Sequence, residues 1–233
     1  MDKPSTLFTG IFGAFLVSTS VMVLLPNSQL SGLQPQIVWE EGQNSPSDMY
    51  PVKIEHSLGH RHGERIYVEN GCYYCHTQEI RDPQFGPDIE RGWGARRTVA
   101  RDFIYNDTPL LGATRMGPDL GNYGWRDSEG KRFWRNEQPN DPARPAVRDA
   151  AFIYKHLFNP RVRTAESNCP SNPGLFEKRD IGAGVSPDAV AVDGKKQWLP
   201  TAAARNLAAY LLSLDRSHEL KEAPVAKSKE AKK

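Results

Sequence analysis

A chain of 233 residues with a formal net charge of +2 presents neither a broad basic field for nucleic acid nor an acidic bulk. Its 38% hydrophobic and 25% charged residues are the proportions of a globular protein. Three cysteines are too few, and odd in number, for a disulfide scaffold, so each thiol has a use of its own.

The first predicted element is a membrane helix. From Leu7 to Leu25 the run LFTGIFGAFLVSTSVMVLL contains no charge, and about 20 apolar residues cross a bilayer core of roughly 30 Å. A cleaved signal peptide would have a shorter apolar region, about 7–15 residues, ending at a small-residue site of the A-x-A kind. Here Leu25-Pro26-Asn27 follows instead, so the expectation is an uncleaved anchor. Lys3 precedes the span, whereas the first basic residue after it is Lys53, beyond Glu40 and Glu41. That asymmetry places residues 1–6 in the cytoplasm and the rest outside, as a single-pass protein of the cell (inner) membrane facing the periplasmic side.

Residues 26–55, rich in Pro, Gln, Ser, Asn and Gly, read as an extended tether. Residues 56–216 hold the apolar, periodic sequence of the folded domain, and 217–233 read as a charged, disordered tail. The domain opens on a predicted helix from about Leu58 to Asn70, with Ile66 and Tyr67 near its end and Gly71 as a turn.

Directly after it comes Cys72-Tyr73-Tyr74-Cys75-His76. C-x-x-C-H is the attachment signature of c-type haem. Two thiols one helical turn apart each add to a vinyl group, and the adjacent His then faces the iron as proximal ligand. A zinc site needs four well-spread ligands, which Cys75 beside His76 does not supply. A thioredoxin-type pair needs a preceding strand, where this chain has a helix. The cofactor expected is one covalently bound haem c, held by Cys72 and Cys75 with His76 on the iron.

Two further stretches resemble a class I cytochrome c domain. Gly117-Pro118-Asp119-Leu120 matches the turn that runs under the proximal His, and the resemblance implies that the Pro118 carbonyl accepts the His76 ring N–H. Pro200-Thr201 followed by AAARNLAAYLLSLDRS reads as a terminal helix with Thr201 as N-cap and Leu207, Tyr210, Leu211 and Leu214 as its apolar stripe. In such domains this helix packs across the first one. The fold class expected is mostly α: a cytochrome c-like domain on a single N-terminal transmembrane helix.

CHTQEIR at 75–81, RMGPDLGNYG at 115–124 and HLFNPRVRTAESNCPSNP at 156–173 are similar to the mono-haem subunit (CcoO or FixO) of cbb₃-type cytochrome c oxidases. The similarity runs, with gaps, from the membrane helix to about Phe176. It implies an electron-transfer subunit that is not itself the oxygen-reducing enzyme. Its implied partners are a polytopic haem–copper catalytic subunit, other cytochrome c subunits, an electron-donor cytochrome and the membrane, with no nucleic acid. The alternatives are a free-standing membrane-anchored cytochrome c, the haem subunit of a nitric-oxide reductase or a sulfur-oxidising enzyme, and a haem-based redox or gas sensor. A sensor would carry an output domain, for which the sequence after Arg216 has no room.

The sequence also departs from that family. Where the family has a distal Met before the Pro of the last phrase, this chain has Cys169 before Pro170. Its four methionines are Met1, Met22, Met49 and Met116, none of them downstream, and Met116 adjoins the proximal turn. Cys169 is thus the candidate distal iron ligand. The alternatives are a buried thiol of no special function and a His ligand, with His156 ahead of His56, His60 and His62. Residues 126–148 form a charged, Pro-containing insertion. Arg81 and Arg115 are candidates for haem propionate contacts through charge-assisted bidentate bonds, or else solvated surface arginines. Tyr73 and Tyr74 fill the variable positions of the motif, and Trp93, Trp125 and Trp134 read as packing residues or haem-edge cover.

Overall fold

The computed structural model describes residues 4–39, 41–42, 48–51, 58–112, 114–125, 149–162 and 164–225. The 126–148 insertion, and with it Trp134, lies outside the described residues, as do His56 and Lys3. The chain divides into two compact units, one formed by residues 1–53 with 100–107, the other by residues 54–99 with 108–233.

In the first unit, α1 (Pro4–Thr19) continues through a π turn (Ser20–Leu24) into α2 (Leu25–Leu30). The three make one rod of 27 residues whose most apolar 18-residue window has mean hydropathy 2.0, long and apolar enough to cross a membrane. Pro26 has no N–H to donate and its ring crowds the carbonyl one turn back, and the widened turn lies directly on its N-terminal side. The rod thus runs past Leu25, the end expected for the span. The expected 26–55 tether is also not uniformly extended. Strands β1 (Gln36–Val38) and β2 (Asp48–Tyr50) pair antiparallel, Gln36 opposite Tyr50. Tyr50 Oη donates to Asp102 Oδ1 at 2.8 Å, and Arg101 donates to the Gln34 carbonyl. Both partners sit on a 3₁₀ turn at Ala100–Phe103, and a polar segment whose partners lie that far along the chain cannot be told from a linker by composition.

The second unit is helix-rich. Its centre is the contact of α3 (Leu58–Glu69) with α6 (Ala202–Ser213). Ile66 and Tyr67 of α3 and Ala204, Leu207, Ala208, Tyr210 and Leu211 of α6 are buried, with α5 (Ala150–Phe158) adding Ile153, Tyr154 and Leu157 to the same core. Among the described residues between α3 and α5 are the short helix α4 (Cys72–Cys75), two 3₁₀ turns and irregular structure. The caps follow the sequence chemistry: Thr201 accepts from Ala204 N and Asp149 accepts from Phe152 N.

A three-stranded antiparallel sheet was not foreseen. Strands β3 (Phe176–Asp180), β4 (Ala191–Asp193) and β5 (Lys196–Pro200) are ordered β3-β5-β4. Phe158 of α5 packs edge-on against Phe176 at 5.2 Å and lies 5.5 Å from Trp198. Of β3 only Phe176 is buried and the rest grades out to solvent, so FEKRD reads as surface rather than strand. The end of the chain differs from expectation as well. Leu220 and Ala223 are buried and bridge each other, and Arg96 and Arg97 donate to the carbonyls of His218 and Glu222. Residues 217–225 are therefore part of the domain, because two apolar side chains and a few backbone carbonyls dock a segment whose composition is mostly charged. Residues 226–233 lie outside the described residues.

The α3–α6 crossing is close because Gly63 has no side chain: a Cβ there would lie 2.1 Å from the Asn206 carbonyl oxygen. Gly63→Val is expected to destabilise the domain by about 1–3 kcal/mol or more, the range of core overpacking. Thermal unfolding followed by circular dichroism checks this, and an unchanged midpoint would mean that the helices do not meet there.

Candidate haem site

Gly71 ends the turn after α3 in the left-handed region (φ 69°) and starts α4, so Cys72 and Cys75 stand one turn apart on a single helical turn. Cys72 and Tyr73 pack against the core, while Tyr74 is exposed and stacks on Tyr73 with ring centres 4.3 Å apart. After Cys75 the backbone extends, and residues 75–79 lie against 117–121. Gly117 N donates to Cys75 O at 3.0 Å and Leu120 N to Thr77 O at 2.8 Å.

That pairing brings His76 Nδ1 to 2.8 Å from the Pro118 carbonyl. A carbonyl only accepts, so Nδ1 carries the proton and Nε2 is the basic nitrogen of the ring. Gly117 lies flat against the imidazole: a Cβ there would sit 2.3 Å from Cε1. Tyr67 Oη donates to the His76 carbonyl at 2.9 Å, tying the motif to α3.

Beneath the turn is a polar core that the sequence did not reveal. Asp119 is fully buried and accepts from Thr77 Oγ1 at 2.6 Å, Glu79 N at 2.6 Å and Gly121 N at 2.8 Å. Gln78 donates to Tyr210 Oη at 2.9 Å and its carbonyl accepts from Arg216 Nη1 at 2.6 Å. Arg216 N in turn donates to Asn122 Oδ1 at 2.8 Å. Burial pushes the Tyr210 phenol up to about 12 and raises Tyr67 further, so both stay protonated at any physiological pH.

Cys169 follows a short turn in which its N–H meets Ser167 Oγ at 3.3 Å, and its Sγ is 3.7 Å from the Pro170 carbonyl. It is half-buried and close enough to Cys72 and Cys75 for the thiols to act on one another electrostatically. Burial first, then the neighbouring Cys169, pushes the Cys72 thiol up to about 11. Burial and then Cys75 raise Cys169 as well, with Arg161 opposing. Cys169, far along the chain, thus comes near the two motif thiols. Met116, by contrast, is largely exposed with its sulfur 3.9 Å from Cys75 Sγ.

Of the histidines weighed as rivals, His56 lies outside the described residues. His60 meets Tyr210 edge-on at 5.2 Å, His62 Nδ1 is 3.0 Å from Asn206 Nδ2, and His156 is half-buried on α5. Arg91 stacks over Trp93 at 5.0 Å. Arg81 and Arg115 converge on a carboxylate that sequence reasoning missed. Arg81 Nη2 is 2.8 Å from Asp88 Oδ1 and Arg115 Nη1 is 2.7 Å from Asp88 Oδ2. Asp88 stands in a Gly86-Pro87-Asp88 turn, and nothing in a sequence distinguishes such a residue from a solvated turn aspartate.

A helix-rich domain in which a C-x-x-C-H turn lies on a G-P-x-L turn, beneath two crossed helices, is a cytochrome c-like domain. A family model described as cytochrome c oxidase, mono-heme subunit/FixO, matches residues 13–167. The chain belongs to this family of mono-haem, membrane-anchored cytochrome c oxidase subunits. No curated protein matches it.

The Asp88 carboxyl is held below the ordinary range: burial opposes ionisation, but hydrogen bonds from Arg81 and the charges of Arg115 and Arg81 outweigh it. A depressed folded value means that this stabilisation is complete above the unfolded value of about 3.9 and is lost as pH falls through the folded one. Asp88→Asn is therefore expected to cost about 2–4 kcal/mol at neutral pH by stranding two partly buried guanidiniums. The gap to the parent should close below about pH 4, as measured by denaturant unfolding across pH.

Proposed function

We propose that this chain binds one haem c covalently through Cys72 and Cys75, with His76 Nε2 as proximal iron ligand, and relays electrons toward the oxygen-reducing subunit of a cbb₃-type oxidase. The observation that carries the reading is the 2.8 Å contact of His76 Nδ1 with Pro118 O inside a C-x-x-C-H motif. A bond of that kind fixes the ring plane and makes the opposite nitrogen a better donor to a metal. The residues fit the group in a further respect: two half-buried thiols stand on one turn, next to an imidazole whose orientation is set by Gly117 and Pro118. The haem, when bound, supplies an iron that takes up and gives back one electron.

The protein's part is to hold that iron and set its potential. The Pro118 carbonyl keeps the Nδ1 proton on His76, and the Tyr67 hydroxyl pins the backbone of the same residue. The buried core around Asp119 keeps the two segments from sliding and would hold His76 in place while a bound iron changes charge. Cys169 is the proposed distal ligand, supported by its nearness to the two motif thiols. A thiolate there stabilises ferric over ferrous iron and lowers the potential relative to a His/Met haem. The apolar rod Pro4–Leu30 anchors the chain, with the haem domain on the periplasmic side. The partners are a polytopic haem–copper catalytic subunit, other cytochrome c subunits and a donor cytochrome.

A pyridine haemochrome assay on the purified chain should give one c-type haem that resists acid–acetone extraction, and Cys72→Ser with Cys75→Ser should abolish it. Extractable haem, or two haems per chain, contradicts the reading. Under gentle detergent a polytopic haem–copper subunit should co-purify, whereas a lone monomer would favour a free-standing carrier. For Cys169, the ferric spectrum should show a sulfur-to-iron charge-transfer band. Cys169→Met should raise the midpoint potential and bring the weak far-red band of His/Met haems. If Cys169→Ala leaves spectrum and potential unchanged, the thiol is a packing residue and His156 is the next ligand to test.

A further inference from the structure

The junction of Arg81, Asp88 and Arg115 has the features of a built anion clamp. Asp88 is completely buried, and the side chains of Arg81 and Arg115 are 33% and 20% exposed. The carboxylate is saturated: Arg81 donates from its backbone N–H at 2.9 Å and from Nη2 at 2.8 Å, its Nε lies 3.2–3.3 Å from both oxygens, and Arg115 donates from Nη1 at 2.7 Å. The other end of the Arg115 fork donates from Nη2 to the Glu79 carbonyl at 2.8 Å. Arg81 is pressed flat as well, since a Cβ on Gly86 would lie 2.5 Å from its Cζ. Both guanidiniums are thus fixed in place without spending all their donors. Arg81 Nη1 and Arg115 Nε make no hydrogen bond to any described residue.

The unspent donors then point to what is missing. Arg81 faces the Glu79 carboxylate as well as Asp88, so what the two forks have to spare is N–H donors rather than charge. The fork geometry of arginine suits a carboxylate, where two parallel N–H donors meet two oxygens. Position selects the carboxylate. Arg115 stands two residues before Gly117, whose N–H is bonded to Cys75 O, and its Nη2 holds Glu79, whose N–H is bonded to Asp119. The cluster is therefore braced by the same two segments that carry His76 and Pro118.

We propose that Asp88 is a positioning residue that presets Arg81 and Arg115 as a single clamp for a haem propionate. The inference rests on the haem reading of the preceding section. The clamp offsets the propionate's negative charge beside the iron, favours the reduced form and so raises the potential. A carboxylate on an acidic side chain of a docking protein would present the same chemistry, and the test separates the two sources.

The measurement is the midpoint potential of the isolated, haem-loaded chain, together with the redox-difference infrared bands of its propionates assigned by ¹³C labelling. Arg115→Gln is expected to lower the potential and shift a propionate band. Arg115→Lys should restore the potential only in part, since it returns the charge without the fork. Asp88→Asn is expected to raise the potential by removing a buried negative charge, and to shift the same band because the two forks lose their common anchor. If Asp88→Asn fails to fold, the two Arg115 variants carry the test alone. Unchanged potentials and propionate bands in haem-loaded variants would overturn the proposal. So would effects that appear only on adding the partner subunit, which would make the carboxylate the partner's. Failure of the haem reading itself looks different: the parent chain would then hold no covalent haem.

Discussion

Asp119 is a carboxylate with no exposure to solvent, and a charge in that position is tolerated only when its lone pairs are filled. Thr77, Glu79 and Gly121 fill them, and in doing so they fix how residues 75–79 lie along residues 117–121. A slip of one residue would strand the carboxylate and carry His76 away from Pro118. The contact between the imidazole and the proline carbonyl is therefore set by a buried polar group rather than by the ring itself. Gly117 then allows the turn to approach the ring face, which any larger residue would prevent.

The helix pair supports this arrangement from above. Tyr67 on α3 bonds the His76 carbonyl, and Tyr210 on α6 is bonded by Gln78, two residues further along. The two tyrosine rings lie 5.7 Å apart at the crossing, so the helices and the motif are tied by paired hydroxyls as well as by apolar burial. Arg216, just beyond α6, closes the set by bonding both the backbone and the side chain of Gln78. Loosening the crossing would thus be felt at His76 through two hydrogen bonds. This is a route by which core packing governs the geometry of the proposed iron ligand.

The family match ends at residue 167, just short of Cys169. The thiol belongs to a short loop, and what it shares with Cys72 and Cys75 is place rather than sequence. The chain belongs to the mono-haem family, and the distal ligand proposed for it is the thiol of Cys169. As that ligand, a sulfur anion in place of a thioether would lower the potential.

Much of this was legible in the sequence because its determinants are local. The apolar run of the rod, the C-x-x-C-H spacing, the Gly-Pro turn and the capped, striped terminal helix each encode their role within a few residues. Chain order and composition also announced a mostly helical domain. What stayed hidden depended on distant partners. FEKRD becomes a strand only because β5 lies beside it, and residues 217–225 are held only because Arg96 and Arg97 reach their carbonyls. Asp88 and Asp119 look like ordinary turn aspartates until folding removes water from around them and supplies donors from residues up to 42 positions away. Sequence by itself fixed the motif, the anchor and the helices, since these follow from periodicity and spacing. The tertiary structure alone decided which charges are buried and which thiols come near one another, because burial and long-range pairing exist only once the chain has closed on itself.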